Sequence, residues 1–206
     1  MHWISYSSGC CPQIHATRLS AIIAAVNAAI LGRRLTLTEL GRSLTSAKHV
    51  KHNIKRMDRL LANRHLAAEG MVLYRAHARR IVGKVAEPVI IVDWSNLSAD
   101  RRWQLLRAAL PMGGRALTLY EEVHPLRHFA NPRVHRLFLA RLKALLPESA
   151  CPILITDAGF RGPWFKAVRR LGWHWIGRIR NRDFLRSAGS AAWHGCKTLY
   201  AQNRFP

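Results

Sequence analysis

Two aspartates directly follow long apolar runs, as carboxylates do at the ends of buried strands. Asp93 follows the apolar run 89–92, and Asp157 follows residues 153–156. A carboxylate in such a position is costly if it is left desolvated and unpaired, so it is expected to face a polar site or a cation. Two such strands side by side would bring both acids together, where they repel each other unless a metal ion neutralises them.

Mg²⁺ is the metal ion that this pair of acids suits best, because it takes oxygen ligands and shares its coordination with phosphates. Mn²⁺ is the expected substitute. Two metal ions about 3.5 to 4 Å apart can activate water on one side of a phosphodiester and stabilise the leaving oxygen on the other. Asp93 and Asp157 therefore predict nuclease or strand-transfer chemistry, as catalytic residues and metal ligands. The alternative is that each acid caps a turn or pairs with a nearby Arg.

The charge of the chain indicates a polyanionic partner. Among 206 residues, 33 Lys and Arg stand against 11 Asp and Glu, which gives a net charge of +22. Nucleic acid is the partner that such a balance favours. A ribosomal-type basic protein is the alternative, but 7 Trp and a strong aliphatic pattern argue against it. At 49% hydrophobic residues, the chain can build an ordinary domain and a small second one.

Other ligand sets are weak in this sequence. The four cysteines form no C-x-x-C pair, which predicts reduced thiols in the cytosol; they are Cys10, Cys11, Cys151 and Cys196. The pairs His49 with His52 and His124 with His128 lack companion ligands, so we interpret them as polar surface.

The apolar run 19–31 is too short to span a bilayer and contains Asn27, so it predicts a core helix and no membrane association. Residues 1–17 carry no Lys or Arg, so export is not expected.

The pattern changes near Pro88, which predicts a helical, basic DNA-binding region at 1–85 and a second region at 86–206. Helices are predicted at 17–32, 36–44 and 47–66. The last is amphipathic, with an apolar face formed by Val50, Ile54, Met57, Leu60 and Leu61. Its other faces carry the expected nucleic-acid contacts Lys48, Lys51, Lys55, Arg56 and Arg59. The pattern is typical of a helix-turn-helix-like bundle that meets phosphates, and the alternative is a solvated helix face.

The second region predicts an α/β fold, with a mixed sheet and flanking helices. The runs 88–97, 101–110 and 115–123 predict an antiparallel meander with a turn at Gly113 and Gly114, and the run 88–97 predicts a buried central strand that ends around Asp93. A helix, a strand, a second helix and a final strand are predicted at 132–146, 151–160, 163–172 and 173–180. The core side of the first helix is predicted to consist of Val134, Leu137, Phe138, Leu142, Leu145 and Leu146.

Several motifs resemble the DDE transposases of bacterial insertion sequences, of the type found at the ends of transposon Tn-ten. They are "VDWSNL", "TDAGFRGPWFKAVRRLGWHWIGRIRN", "TLTELGRSL", "KHNIKRMDRLLANRHL" and "TLYEEVHPL", which together cover nearly the whole chain from about residue 15. The resemblance implies an RNase H-like catalytic domain, with one Asp on the first strand and another just after the fourth. Asp93 and Asp157 match those two positions.

The resemblance also implies a function and its partners. The full enzyme would cut at transposon ends, form hairpin ends and join 3′ hydroxyls to target DNA by metal-assisted phosphoryl transfer. Terminal inverted repeats, target DNA and a second copy in a synaptic homodimer are the implied partners, in the bacterial cytoplasm at the nucleoid. Further phosphate contacts are expected at Arg102, Arg107, Lys166, Arg169, Arg178 and Arg180. Trp94 and Trp164 would either stack on bases or pack in the core.

One departure from the family pattern concerns the third carboxylate, a Glu in a helical Tyr-x-x-Arg-x-x-x-Glu-x-x-x-x-x-x-Lys motif. No Glu follows Glu148 here, and Asp183 is the only acid after Asp157. We therefore expect an incomplete catalytic domain that stops at the start of the family's strand-rich insertion and is inactive alone. One sheet face should then expose apolar surface. The alternatives are a non-catalytic DNA-binding remnant that occupies transposon ends or inhibits the full enzyme, and an RNA-binding protein of another kind.

Overall fold

The chain folds as a mixed α/β protein with two compact units, Met1–His77 and Ala78–Pro206. The structure, a computed structural model, describes residues 11–32 and 34–198. Cys10 and the end of the chain from residue 199 lie outside the described residues. The predicted combination of helices with a mixed sheet is confirmed.

The first unit contains helices α1 (Ala16–Leu31), α2 (Leu37–Arg42) and α3 (Val50–Leu61), and α4 (Arg64–Val82) begins in it. Thr36 caps α2, since its side chain accepts a hydrogen bond from the Glu39 amide. The buried core of the unit consists of Ala28, Leu44, Met57 and Leu60. Helices α2 and α3 approach closely at Gly41, where a Cβ would lie 2.5 Å from the Ile54 side chain. This contact requires glycine and holds α3 against α2.

The single helix predicted at 47–66 is wrong, because the structure breaks it between α3 and α4. Ala62 ends α3, and the Asn63 side chain accepts a hydrogen bond from the His65 amide at 2.9 Å. Asn is a good N-terminal cap because its side chain can satisfy amides that lack helical partners. Helix α4 then continues to Val82, well beyond the predicted end.

The predicted apolar face of α3 is only partly correct. Met57 and Leu60 are buried, but Val50 is 48% exposed and Leu61 is 62% exposed. Both residues lie at the ends of the 12-residue helix, where the neighbouring helices no longer cover it. Asn53 takes a place in the buried stripe instead.

The second unit is built on a five-stranded sheet with the order β3-β2-β1-β4-β5. Its strands are β1 (Val89–Asn96), β2 (Trp103–Met112), β3 (Arg115–Pro125), β4 (Ile153–Thr156) and β5 (His174–Gly177). The first three strands form the predicted antiparallel meander. Strand β4 pairs in parallel with β1, and β5 pairs in parallel with β4. Strand β1 is therefore the boundary between the antiparallel part and the parallel part of the sheet.

A two-residue turn joins β2 to β3. Gly113 and Gly114 have φ values of +57° and +74°, which disfavour residues that carry a Cβ. Positive φ at both central residues is the requirement of the type I′ turn, whose twist matches that of paired strands. The turn pairs Met112 with Arg115. An irregularity between Ala108 and Ala109 then shifts the pairing register of β2 and β3.

Helices α5 (Pro132–Leu145) and α6 (Gly162–Arg170) pack on one sheet face. Phe138 of α5 lies against Tyr120 with ring centroids 5.2 Å apart, and Phe165 of α6 lies 4.1 Å from Trp175. Most of the predicted core side of α5 is buried, but Leu137 is 49% exposed. Its place is taken by His135 and Leu139, since the buried stripe runs through positions 134, 135, 138, 139, 142 and 145.

The opposite sheet face exposes apolar side chains, as the sequence led us to expect. Ile91 is 38% exposed, Val123 is 51% exposed and Ile176 is 58% exposed. Strand β1 is central in the sheet, as predicted, but its burial is one-sided, because Ile90 and Val92 are fully covered and Ile91 is not. We refer to the face with Ile91, Val123 and Ile176 as the open face.

The remaining elements are a short 3₁₀ helix (Leu126–His128) and a two-stranded sheet of β6 (Phe184–Leu185) and β7 (His194–Gly195). Cys11, Cys151 and Cys196 are free thiols. Over the ranges 11–32 and 34–198, none of the helices combines the length and apolar character that crossing a membrane requires. The apolar run 19–31 lies within α1, as predicted.

Candidate functional site

The topology of the sheet brings Asp93 and Asp157 to the same edge. Strands β1 and β4 run in parallel, and Val92 pairs with Thr156, so each aspartate occupies the next position along its own strand direction. Strand β4 ends at Thr156, whereas β1 continues to Asn96. Both aspartates line a cleft of about 420 Å³ at this step in the sheet. We call it the carboxylate cleft.

The two acids influence each other electrostatically. Burial raises the pKa of Asp93, the negative charge of Asp157 raises it further, and a hydrogen bond from the Trp94 backbone opposes the shift. Within the described part of the chain, neither acid forms an ion pair with a basic side chain. A close pair of carboxylates without a cationic partner has the donor set and the charge that suit a divalent cation.

The loop after β4 fixes the orientation of Asp157. Its Oδ1 accepts a hydrogen bond from the Gly159 amide at 2.9 Å. A Cβ at position 159 would lie 3.0 Å from the same oxygen, so a side chain there would crowd the carboxylate. Helix α6 begins three residues later, with Pro163 in its first turn. The "DAGFRGP" motif thus builds a tight strand-to-helix connection that presents one acid.

An aromatic wall lies beside the two acids. The Trp94 indole N–H donates a hydrogen bond to His135 Nε2 at 3.0 Å, so that nitrogen carries no proton. The His135 ring stacks on Phe160 at 5.2 Å and meets Trp164 at 5.1 Å. Burial, and then the nearby His124, lowers the pKa of His135 to about 4. His135 is therefore a neutral acceptor that fixes Trp94, a role that sequence reasoning missed.

Two arginines and an exposed aromatic ring complete the lining. Arg161 and Arg180 line the carboxylate cleft, and neither side chain is in an ion pair with an acid of the described residues. Phe129 also lines it and is 46% exposed. Arg161 and Phe129 were not predicted; the sequence signal for Arg161 was its place directly after "DAGF". Trp164 is 1% exposed, so it packs in the core as one alternative predicted.

Only one of the six arginines and lysines predicted near the site lines the cleft, and it is Arg180. Arg178 lines a neighbouring cleft of about 520 Å³ that Arg180 shares. Lys166 and Arg169 are exposed on α6 and line neither cleft. Arg102 pairs with Asp100, and Arg107 pairs with Glu121. Surface arginines are too abundant here for sequence alone to select those at the site.

A second acidic residue on the sheet, Glu122, has a different environment. Its carboxylate accepts hydrogen bonds from the Tyr120 hydroxyl at 2.7 Å and from Arg141 at 2.8 Å. His124 Nε2 lies 2.7 Å from the other oxygen of Glu122, and the Glu122 side chain is 9% exposed. Burial, and then the bond to Glu122, raises the pKa of Tyr120. We call these four residues the Glu122 network; it ties α5 to β3.

Helix α3 carries the basic site of the first unit. Lys48, His52, Asn53, Arg56 and Arg59 line a pocket of about 340 Å³, which we call the basic pocket. Its lysine and arginines form no ion pair with the acids that the structure describes. Asn53 is 3% exposed, and its Oδ1 has no hydrogen-bond partner. Lys51 and Lys55 are exposed on the same helix but do not line the pocket.

A third metal ligand is not found with the aspartate pair. Among residues 11–32 and 34–198, no group of three or more His, Cys, Asp or Glu side chains is arranged to hold a metal ion. The predicted surface pairs keep their rings apart, with centroids at 6.3 Å for His49 and His52 and at 6.1 Å for His124 and His128. The carboxylate cleft thus offers two carboxylates as ligands.

No protein-family model, curated protein or solved structure matches this chain. The likeness to DDE transposases therefore remains a prediction from the sequence motifs.

Proposed function

We propose that this chain is an insertion-sequence transposase polypeptide of the DDE type, with Asp93 and Asp157 as two of its metal-binding catalytic acids. The observation that carries the proposal is the juxtaposition of these acids in one cleft, where no basic side chain of the described residues forms an ion pair with them. The strand positions support it: one acid lies on the first strand and the other just after the fourth, as the RNase H-like catalytic domain requires. The proposed partners are transposon-end and target DNA, in the cytoplasm at the nucleoid.

Asp93 and Asp157 would hold Mg²⁺ or Mn²⁺. When bound, the metal would supply charge neutralisation at a phosphodiester and a nucleophile from water or a DNA hydroxyl. Arg161 and Arg180 would bind the phosphate oxygens, because both residues line the same cleft and guanidinium groups bind phosphate well. Gly159 keeps the Asp157 carboxylate in place, and His135 holds Trp94 beside the acids. A homodimer in a synaptic complex belongs to the same proposal.

The basic pocket on α3 would anchor the DNA backbone. Lys48, Arg56 and Arg59 surround one concave surface and form no ion pair with an acid of the described residues, so they suit a phosphate. Contacts to phosphates do not depend on the DNA sequence. Log affinity should fall with log salt at about −0.9 per phosphate contacted. Arg56→Gln should reduce that slope by about 1. Arg42→Gln is the matched control, because Arg42 lies in the same unit but is paired with Glu39.

A second candidate function is that of a DNA-binding remnant that does not cut. The observation that favours it is the absence of a third acidic or histidine ligand from the described residues around the pair. Two carboxylates alone give poor organisation of two cations, so the 206-residue polypeptide should turn over slowly or not at all.

One experiment separates the two candidates. The wild-type chain and an Asp93→Asn, Asp157→Asn variant are incubated with a supercoiled plasmid in Mg²⁺ or Mn²⁺, and nicking is followed on gels. Nicking by wild type that the variant lacks supports the transposase with a third ligand from elsewhere. No nicking, with salt-sensitive DNA binding retained by both proteins, supports the remnant. Binding that ignores salt in both would contradict both proposals.

A further inference from the structure

We propose that Phe129 is a stacking platform for a nucleobase, placed in the carboxylate cleft beside the reacting phosphate. This inference rests on the proposed function and adds a contact to it. Phe129 is 46% exposed and lines the cleft together with both aspartates. It follows the short 3₁₀ helix Leu126–His128, outside every strand and every α-helix of the unit.

The Phe129 ring contacts Trp94 and is also partly exposed to solvent. Its centroid lies 5.4 Å from that of Trp94, at an interplanar angle of 60°. Trp94 is itself fixed by its hydrogen bond to His135, which is buried at 4% exposure. The ring therefore has an internal support and a free surface, and it is not simply an apolar side chain that lacks a core.

The backbone presents Phe129 in a preformed turn. Its amide donates to the Leu126 carbonyl at 2.9 Å, and the Asn131 amide donates to the His128 carbonyl at 3.2 Å. Ala130 has a φ of +54°, an uncommon conformation for a residue with a Cβ. The Asn131 side chain then caps α5 by accepting from the Arg133 amide. An aromatic side chain held in its binding position loses little entropy when a ligand stacks on it.

The chemistry of the cleft identifies the ligand class. A flat aromatic surface suits a nucleobase, and the carboxylate pair suits a divalent cation. Arg161 and Arg180, which form no ion pair with an acid of the described residues, suit phosphate oxygens. A nucleotide unit of a DNA strand carries both a base and a phosphate, so it offers a partner to each of these groups. An apolar ligand would leave the arginines and aspartates without partners, so the combination favours nucleic acid.

The first test compares binding of a labelled 20-nucleotide strand with that of a strand whose central bases are abasic, by fluorescence anisotropy in Mg²⁺. Both strands carry the same charge, so their difference reports contacts to bases. Phe129→Ala should bind the intact strand about 5- to 10-fold more weakly, and the ratio between the strands should shrink. Phe129→Trp should restore the ratio, and Phe129→Leu, which keeps most of the volume, should not. The matched control is Trp103→Ala, since Trp103 is 49% exposed and does not line the cleft.

A second test locates the contact directly. A strand that contains 5-iodouracil is cross-linked to the full chain by light, and the tryptic peptides are identified by mass spectrometry. The cross-link should fall on the peptide 128–133, which contains Phe129 as its stacking residue, and it should vanish in Phe129→Ala. Cross-links confined to other peptides, or equal weakening on intact and abasic strands in Phe129→Ala, would overturn the stacking role.

Failure of this proposal can be told apart from failure of the proposed function. The metal role of Asp93 and Asp157 is read from metal-dependent thermal stability, a measurement that requires no DNA. Metal dependence without base discrimination removes the stacking platform alone. Base discrimination at Phe129 without a metal effect removes the phosphoryl-transfer proposal and leaves a nucleic-acid-binding cleft.

Discussion

The carboxylate cleft and the Glu122 network are two acidic regions of one sheet, and their acids differ in the partners that they have. Glu122 receives two hydrogen bonds, from Tyr120 and Arg141, and its other oxygen lies 2.7 Å from His124. The pair in the cleft receives backbone hydrogen bonds and no basic side chain of the described residues. In a chain with three times as many basic as acidic residues, that lack of partners is informative.

The difference separates an acid that stabilises the fold from acids that are available to a ligand. The Glu122 oxygens are already in use, and they connect β3 to α5. Burial, and then the negative charge of Asp157, raises the pKa of Asp93, so the fold gains nothing from the charge of this acid. Four measurements test this comparison.

The largest expected effect is at His135, which contacts Trp94 beside the cleft and is influenced by His124 of the network. Its pKa is lowered from 6.5 to about 4, so below pH 6.5 the unfolded chain gains a proton that the folded chain does not. Stability should therefore fall as pH falls through this window, by on the order of 3 kcal/mol, and level off below pH 4. Urea unfolding at several pH values measures it. His135→Phe should lack this part of the pH slope, and an unchanged slope would contradict the buried neutral imidazole.

The second effect is the loss of the Glu122 carboxylate. Glu122→Ala removes the acceptor of Tyr120 and Arg141, and it should lower the free energy of unfolding by about 2 kcal/mol. Glu122→Gln keeps the shape and one acceptor, so its loss should be smaller. Asp157→Ala is the matched comparison and should cost less than either in metal-free buffer. A larger loss at Asp157 would break the distinction between the two regions.

The third effect is stabilisation by metal, which should occur in the cleft and not in the network. A cation that binds only the folded chain adds about 1.4 kcal/mol at tenfold its Kd. Thermal unfolding in Mg²⁺ or Mn²⁺ against EDTA measures this in the wild type. Asp93→Asn should abolish the gain, whereas Glu122→Gln should retain it on a lower baseline. Equal gains in both variants would place the metal elsewhere.

The smallest effect is the pH response of Asp93 in metal-free buffer. Its folded pKa lies above its ordinary value of 3.8, so its contribution is fully present below that value and is lost as pH rises through the folded pKa. Relative to wild type, Asp93→Asn should therefore become more stable as pH rises above 3.8. Unfolding curves of the two proteins from pH 3 upward give the difference, and a difference that shrinks with pH would contradict the raised pKa of Asp93.

Strong periodic signals made the fold predictable in outline. The paired glycines at 113 and 114 marked the turn of the meander, and the apolar runs ending at Asp93 and Asp157 marked the two strands that carry the acids. The break at Asn63 was missed because a capping side chain outweighed a continuous amphipathic pattern. Leu137 was misplaced because periodicity cannot say which edge of an apolar stripe the sheet will cover.

The site was predictable where chemistry follows strand ends, and not where it depends on loops. Asp93 and Asp157 could be paired because neighbouring parallel strands end at one edge. Phe129 and Arg161 could not, since their places depend on turns whose geometry is set by tertiary contacts. Nothing in the sequence distinguishes His135 from other polar residues on helices, because its role depends on the hydrogen bond from Trp94.

The type I′ turn at Gly113 and Gly114 has a consequence for the order of folding. It joins β2 to β3 through two residues, so the meander closes by local contacts that form quickly. Pairing β4 with β1 closes a much longer loop, because the chain between these strands includes β2, β3 and α5. Asp157 should therefore join Asp93 late, and destabilising the turn should slow refolding more than the same loss of stability introduced in β4.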